Sequence, residues 1–411
     1  MRDPGPLACL TVLLVIWLPG PAFAQEGPAA TSPMRPTEIW GDAYYQAATM
    51  DSTTASSLGV AQEAGLSVNV RSPLGLEVVA DFIVPLDLGR DISPETLAPQ
   101  LFVRASPAPG VSIAAGRQRL NWGTAKIFSP IDLLETRPNP LDLRPYLPGI
   151  AGIKTDIFPD ESVGVSVVAL PATDLRWSRG AARVELLLES LGLDLGFGVV
   201  KYGDAGTSDR LGALHDAALS LGELVLYEEM ELRWGRQSTY VFPGMSGPAV
   251  PDIGSEPVCR AAAGVMLPLD FGLTRPSTLI VEYFFNGDGL SAGEAQQFAS
   301  QYGAWQDAGR PAGAELPDEL ALLGGLRRHY AAVSLTGIAL DRFLLLGITG
   351  IGGVDSALGW LSIDLEYEVI QGTSFALRYE IGHAFDPNQP TDLLLIPFRN
   401  RITLSVTTSY K

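Results

Sequence analysis

The sequence has few of the side chains on which most active sites depend. Its 411 residues include two cysteines, Cys9 and Cys259, and three histidines. No two histidines have the spacing of a metal site, and adjacent carboxylates such as Glu228 and Glu229 would point to opposite faces of a strand. These shortages favour a protein that is not an enzyme, and the sequence implies neither a metal ion nor a cofactor.

Long apolar runs are also scarce. The clearest one, Leu7 to Leu18, ends in Pro19-Gly20-Pro21 and is followed by Ala22-Phe23-Ala24, a small-x-small cleavage pattern. We predict a cleaved signal peptide over residues 1–24 and a single domain over residues 25–411. An uncleaved anchor helix is the alternative, but the run is shorter than the roughly 20 residues that a bilayer span needs.

Basic residues are much fewer than acidic ones. The chain has 28 lysines and arginines against 46 aspartates and glutamates, a formal net charge of −18. Nucleic-acid binding demands basic patches, so this class of partner is excluded. The 44 glycines and 31 prolines fit many short strands joined by turns.

Alternation of apolar and polar residues is the main pattern that is present. Over residues 401–410, an apolar face from Ile402 to Tyr410 alternates with a polar face. The same period of two recurs over residues 193–199, 224–234, 361–369 and 375–382. This period indicates β-strands, and a last strand that ends at an aromatic residue is typical of an outer-membrane β-barrel. Such a protein must close into a barrel because open strand edges cannot be satisfied in lipid.

Short turns alternate with longer or more polar connections along the chain. The longer ones cover residues 51–56, 88–98, 123–160, 204–209, 237–257, 288–325, 354–356 and 386–397. Counting Pro171 to Arg179 as a turn and residues 181–203 as one strand, we predict about 16 strands. A turn at Ser190-Leu191-Gly192 is the alternative and leaves 14 or 18 strands open. The predicted fold is an all-β, antiparallel transmembrane β-barrel with a long inward-folding loop. A short rim helix is expected from Ala292 to Trp305.

The inward-folding loop is predicted at residues 123–160, the third outer loop. It holds charges of both signs between several prolines. Opposed charges across a constriction set a transverse field that selects solutes by size and polarity. The residues predicted to form the pore constriction are Lys126, Asp132, Glu135, Arg137, Asp142 and Arg144. The alternative is an exposed loop whose charges pair among themselves.

The polar faces of the predicted strands would supply a charged lumen wall. The candidate wall residues are Arg117, Arg119, Asn121, Glu229, Glu231, Arg233, Glu366, Glu368, Arg378, Glu380 and Arg401. Ordinary solvation of a water-filled wall would explain any one of them equally well.

The run from Gly116 to Leu143 resembles the Gly-Arg-Gln…Trp-Gly…Pro-x-Asp…Asn-Pro-x-Asp-Leu signature of a broad group of porin-like bacterial outer-membrane proteins, mostly of unknown function. The resemblance implies a porin-superfamily barrel. It places on the shared motif Arg117, Trp122, Gly123, Pro130, Asp132, Pro140 and Asp142. The chain departs from the pattern at Ser129, where an asparagine is often seen, and at its end, which is Tyr410-Lys411 rather than a terminal phenylalanine.

The sequence therefore predicts a porin-like channel in the bacterial outer membrane, exported through the inner membrane by its signal peptide. Its expected partners are outer-membrane lipid, lipopolysaccharide and the small hydrophilic solutes that diffuse passively through it. The alternative is a plugged outer-membrane barrel that acts as a surface receptor or envelope scaffold, and a secreted soluble β-sandwich is more distant. A homo-oligomer is left open, since nothing in the sequence marks an interface.

Overall fold

A computed structural model describes most of the chain after residue 36. The described residues are 37–52, 58–72, 75–85, 97–120, 122–131, 134, 149–172, 178–202, 210–234, 256–272, 276–307, 326–356, 358–370, 372–385, 390 and 398–410. The predicted signal peptide, residues 1–24, lies outside them. No helix in these ranges is long and apolar enough to cross a membrane.

The described strands form one 18-stranded antiparallel sheet that closes on itself. The strands are β1 (Glu38–Ser52), β2 (Leu58–Arg71), β3 (Leu76–Pro85), β4 (Gln100–Ala108), β5 (Val111–Gln118), β6 (Ile150–Ile157), β7 (Val163–Leu170), β8 (Arg179–Leu188), β9 (Leu193–Tyr202), β10 (Arg210–Leu221), β11 (Leu224–Trp234), β12 (Pro257–Leu269), β13 (Ser277–Asn286), β14 (His329–Ala339), β15 (Leu344–Gly353), β16 (Leu358–Ile370), β17 (Thr373–Ala384) and β18 (Phe398–Tyr410). Each strand pairs with its neighbour in sequence, and β1 pairs with β18, for example Gly41 with Tyr410. The predicted all-β barrel is confirmed.

The two faces of the wall follow the alternation in the sequence. On β11, the side chains of Tyr227, Glu229 and Glu231 are buried, whereas those of Leu226 and Met230 are 39% and 40% exposed. Successive side chains of a strand point to opposite sides of the sheet. The exposed apolar residues therefore form the outer face of the barrel, and the polar residues line its interior.

The count of eighteen lies within the predicted range but exceeds the preferred count of about sixteen. One additional strand, β6, lies inside the segment that was predicted to be a single loop over residues 123–160. The other arises because residues 181–203 are two strands, β8 and β9, joined by a turn at Glu189–Leu191 in which Gly192 has a φ of 61°. Because both β6 and the turn between β8 and β9 were left out, the predicted number of strands is two too low and is still even.

The barrel has a turn end and a loop end. Short turns such as Leu221-Gly222-Glu223-Leu224 join each even-numbered strand to the next at one end, and the longer connections lie at the other. A helix, α1 (Ala292–Asp307), lies in the connection between β13 and β14, two residues longer than predicted. Its side chains Phe298 and Trp305 are buried.

Candidate functional site

The described residues that follow β5 turn into the barrel instead of continuing outward. After Gln118 the chain carries a series of large apolar side chains, and Leu120, Trp122, Phe128 and Ile131 are buried. Apolar side chains of this size are buried when they pack against other apolar groups. We call the described residues 119–131 the inserted segment.

Two apolar clusters hold the inserted segment. Its Leu120, Trp122 and Ile131, together with Leu134, pack against inward residues of β7 to β10 such as Val168. Phe128 packs in the second cluster, against residues of β12 to β16. Its ring stacks on Phe284 with a centroid distance of 4.8 Å and an interplanar angle of 13°. Offset stacking of this kind adds to the free energy gained by burial.

Two wall carboxylates bind the backbone of the inserted segment. Glu282, on β13, accepts hydrogen bonds from three successive N–H groups, those of Lys126 (2.9 Å), Ile127 (3.3 Å) and Phe128 (2.6 Å). It also accepts a bond from the hydroxyl of Tyr227 at 2.8 Å. A buried carboxylate needs such donors because leaving it unpaired costs several kcal/mol, on the order of the desolvation penalty of an ion.

Glu229, on β11, is the second of these carboxylates. It accepts the N–H of Ala125 at 3.0 Å and the hydroxyl of Ser129 at 3.3 Å. Gly123 lies against it with a φ of 96°, and a Cβ at this position would lie 2.1 Å from Oε1 of Glu229. Both the backbone conformation and the lack of space therefore require glycine here.

A buried ionic cluster lies beside these contacts. Glu231 lies between two arginines, with Oε1 2.8 Å from Nη1 of Arg233 and Oε2 3.1 Å from Nη1 of Arg260. Arg233 also pairs with Asp288 in the loop after β13. Arg260 donates to the carbonyl oxygen of Pro130 at 3.2 Å. Buried charges are tolerated when they are paired in this way, so the cluster fixes the inserted segment to β12.

All of these contacts fall on one part of the wall. In the described part of the chain, the inserted segment packs against strands β7 to β16. Strands β17, β18 and β1 to β4 continue the wall on the other side, and we call their described inward charged residues the polar arc. The polar arc consists of Glu38, Asp42, Glu63, Arg71, Glu77, Asp81, Arg104, Arg378, Glu380 and Arg401.

Ion pairs connect neighbouring strands along the polar arc. Arg378 pairs with Asp364 of β16, and each side chain is about one third exposed. Arg401 donates from Nε to Oε2 of Glu380 at 2.6 Å. Arg104 lies 3.2 Å from Glu77. Charges of both signs thus lie close together on this side of the interior.

The predicted constriction residues are mostly outside the described residues. These are Asp132, Glu135, Arg137, Asp142 and Arg144. Lys126 is described and lies on the inserted segment. Its side chain is exposed, and its Nζ lies 6.0 Å from the centre of the Tyr227 ring.

Eight of the predicted wall residues fall into three groups. Glu229, Glu231 and Arg233 face inward and are buried beneath the inserted segment, as described above. Arg378, Glu380 and Arg401 belong to the polar arc. Glu366 and Glu368 face inward on β16 and line a recess of about 240 Å³ at the turn end. Asn121 lies outside the described residues, and Arg119 follows the end of β5.

The structure contradicts the predicted inward direction of Arg117. In the register of the sheet, Arg117 lies directly opposite Leu101 and Ala151. The side chain of Leu101 is 49% exposed on the outer face. Arg117 lies near the end of β5, at the rim of the barrel. There its Nη1 donates a hydrogen bond to the carbonyl oxygen of Gly149 at 3.2 Å.

Sequence reasoning did not find Glu282, Tyr227 or Arg260. In the sequence, Glu282 is recognisable as a single charged residue within an apolar strand, between Val281 and Tyr283. A lone carboxylate on the apolar background of a strand marks a position with a specific partner. Among the described residues, no group of three or more histidines, cysteines and acids has the geometry of a metal site.

No protein-family model matches the chain, and no curated protein is similar to it in sequence. Solved structures are similar in fold. A BenF-like porin from Pseudomonas fluorescens gives a TM-score of 0.51 at 12% identity, over 91% of this chain and 97% of that one. The chain has the fold of the outer-membrane porins. OccK8 (OprE) of Pseudomonas aeruginosa gives a TM-score of 0.54 at 11% identity, over 91% and 98% of the two chains.

A further similarity is to an outer-membrane barrel of another kind. Wzi, an outer-membrane protein involved in group 1 capsule assembly in Escherichia coli and described as a carbohydrate-binding β-barrel, gives a TM-score of 0.57 at 11% identity. The match covers 90% of this porin-like barrel and 84% of Wzi. At such low identity these similarities establish the fold of the chain and nothing finer.

Proposed function

We propose that the chain is a porin-like channel of the bacterial outer membrane through which small hydrophilic solutes diffuse passively. The observation that supports this most directly is the one-sided attachment of the inserted segment. The segment is fixed to strands β7 to β16, and the polar arc lies on the other side of the interior. Side chains alone do not fill a barrel of this width, so a partial obstruction leaves room for an aqueous path.

Under this proposal, solutes pass between the inserted segment and the polar arc. The predicted constriction residues Lys126, Asp132, Glu135, Arg137, Asp142 and Arg144 would project into that path from the segment side. Ion pairs such as Arg378–Asp364 would face them from the wall. Opposed charges across a narrow path orient polar solutes and disfavour apolar ones.

The outer face of the barrel supports a location in the outer membrane. Exposed apolar side chains such as Leu404 and Phe375 cover the outer face of the strands, as lipid contact requires. We infer that residues 1–24 direct export and are cleaved, and that the loop end meets lipopolysaccharide at the cell surface.

Single-channel conductance of the refolded protein in a planar bilayer tests the proposal. Stable conductance steps are expected, with a reversal potential in a salt gradient that changes on substitution of Asp132 or Arg137. A silent bilayer, with folding shown by heat-modifiable migration on a gel, would reject an open channel.

The second candidate function is a plugged barrel that binds a partner at the cell surface. It is favoured by the packing at the loop end, where Phe298 and Trp305 of α1 and Leu326 are buried. Arg327 also binds two other loops there, donating to the carbonyl oxygens of Asp355 at 2.7 Å and Pro390 at 3.2 Å. A folded but silent protein that binds a carbohydrate polymer would support this function instead.

A further inference from the structure

The arginines of the polar arc are all held in ion pairs. Arg378 and Arg401 pair with carboxylates of neighbouring strands, as described above. Glu77, on β3, holds the other two, since its Oε1 lies 3.4 Å from Nη2 of Arg71 and its Oε2 lies 3.2 Å from Nη1 of Arg104. A solute that carries a carboxylate would have to displace a wall carboxylate before it could bind any of these guanidinium groups.

Acidic residues outnumber basic ones on this side of the interior. Among the described residues that face inward on β16 to β18 and on β1 to β4, nine are acidic and four are basic. The basic ones are the four arginines of the polar arc, and the acidic ones are Glu38, Asp42, Glu63, Glu77, Asp81, Asp364, Glu366, Glu368 and Glu380. The arginines therefore cannot neutralise this side of the wall.

Three of these carboxylates have no partner within the described part of the chain. No ion pair or side-chain hydrogen bond joins Asp42, Glu366 or Glu368 to another described residue. The side chains of Asp42 and Glu368 are half-buried, and that of Glu366 is exposed. We call these three residues the acidic band. Their negative charge is available to ions that enter the barrel from solution.

The register of the strands brings the members of the acidic band to one recess. Glu366, Glu368 and Ser409 all line the recess at the turn end. Ser374, on β17, also lines it and lies directly opposite Glu368. Asp42, on β1, lies directly opposite Ser409 of β18. The band therefore runs across four neighbouring strands, on the side of the interior that the polar arc occupies.

The recess has the size and the lining of a site for a small solute. Its volume is about 240 Å³. Glu366 and Glu368 are two residues apart on one strand, so their side chains point the same way and their Cα atoms lie about 7 Å apart. Ser374 and Thr407 add hydroxyl groups that accept hydrogen bonds, and Leu345 adds an apolar surface. This combination suits a solute that carries amino groups on a short carbon chain.

Arg342 also borders the recess but does not neutralise it. Its Cζ lies 5.3 Å from the centre of the Phe343 ring, so its charge is held against an aromatic face. Within the described part of the chain, Arg342 makes no ion pair with Glu366 or Glu368. With two carboxylates and one guanidinium group, the recess keeps a net negative charge.

We propose that the channel selects organic cations, and that amines are the solutes that the acidic band recognises. Since a solute meets the band only by passing beside the polar arc, this selectivity rests on the proposed function. A cleft lined by charges of one sign concentrates ions of the opposite sign, and rings of acidic side chains favour cations in channels. The predicted constriction residues comprise three bases and three acids, so they supply no preference of their own.

Reversal potentials in a potassium chloride gradient test the charge preference. The refolded protein should pass potassium more readily than chloride. Putrescine, a diamine with four carbons, should lower the potassium current when it is added to both sides of the bilayer, because it competes for the acidic band. Succinate, which also has four carbons but carries carboxylates, should leave the current unchanged. A preference for chloride, or equal effects of the two solutes, would overturn the proposal.

A pair of matched double variants assigns the effect to the recess. Glu366→Gln/Glu368→Gln should need several-fold more putrescine for the same loss of current and should lose part of its preference for potassium. Glu161→Gln/Glu223→Gln removes the same charge from two exposed turns and should behave like the parent protein. Heat-modifiable migration establishes that both variants fold. Equal behaviour of the two variants would show that the acidic band does not select the solute.

The same recordings separate the selectivity from the channel itself. A folded protein that is silent in the bilayer would reject the open channel and the selectivity with it. A protein that conducts without preferring potassium would leave the channel in place and overturn the selectivity alone.

Discussion

Phe128 donates its backbone N–H to Oε1 of Glu282 at 2.6 Å, across 154 residues of sequence. The same side chain binds the two preceding N–H groups, so one carboxylate replaces the water that three successive backbone donors would otherwise bind. The position of the inserted segment depends on this wall residue as much as on its own sequence.

Substitution of that carboxylate should loosen the segment. We expect Glu282→Gln to lower the stability of the bound segment by about 1–3 kcal/mol, since charge-assisted hydrogen bonds are lost and one buried amide group lacks an acceptor. Increased current noise in single-channel recordings would reveal the motion. Glu366→Gln, a change of the same kind at an exposed inner position, should leave the noise unchanged. Equal noise in both variants would show that Glu282 does not hold the segment.

Gly123 should not tolerate a side chain. Gly123→Ala adds a Cβ that would meet the carboxylate of Glu229 and forces a non-glycine residue to a φ of 96°. We expect a loss of about 1–3 kcal/mol from backbone strain, with further loss from the displaced carboxylate. The matched control is Gly222→Ala, where φ is 64° but no atom lies within 4 Å. The temperature at which gel migration changes should fall further for Gly123→Ala than for Gly222→Ala.

Removal of the Phe128 ring should release one end of the segment. Phe128→Ala leaves a cavity beside Phe284, at an expected cost of about 3–5 kcal/mol. In the channel proposal, the freed segment would let the conductance fluctuate between more than one level. Phe375→Ala, which removes a ring that is 49% exposed on the outer face, is the control. A single conductance level in Phe128→Ala would contradict the prediction.

The ion pair of the polar arc should control charge preference. Arg378→Gln leaves Asp364 without this cation, so the reversal potential in a salt gradient should shift toward cation selectivity. Asp364→Asn should shift it in the opposite direction. Shifts of the same sign, or none in either variant, would show that ions do not pass beside this pair.

The strand faces could be predicted from sequence because alternation is a local property. On β16, apolar and polar residues alternate from Leu361 to Val369, and the structure orients these faces as expected. Strand β6 was missed because it has only 8 residues and follows a proline-rich run, although Ile153 and Ile157 do alternate with Lys154 and Asp156. The turn before β9 was predicted only as the alternative, because leucines continue through it from Leu186 to Leu195.

The candidate site was only partly predictable. The sequence placed Lys126 in an inward-folding loop and Glu229 on an inward face, because the motif and the alternation are both visible locally. The sequence could not identify Glu282 as the residue that binds the inserted segment, because Glu282 and Phe128 are 154 residues apart in the chain. It also placed Arg117 on the wrong face, although Ile113 and Ala115 have the same parity and are outward.

The pairing of β1 with β18 has a consequence for biogenesis. Strand β1 pairs with β2 on one side and with β18 on the other, so the barrel closes at the seam where the first and last strands meet. The inserted segment follows β5, and its carboxylate partners lie on β11 and β13, so it can be seated only after those strands have joined the sheet. Closure of the seam around a segment that is already seated would avoid threading it through a finished cylinder, and the order of events is thus set by the position of these strands in the chain.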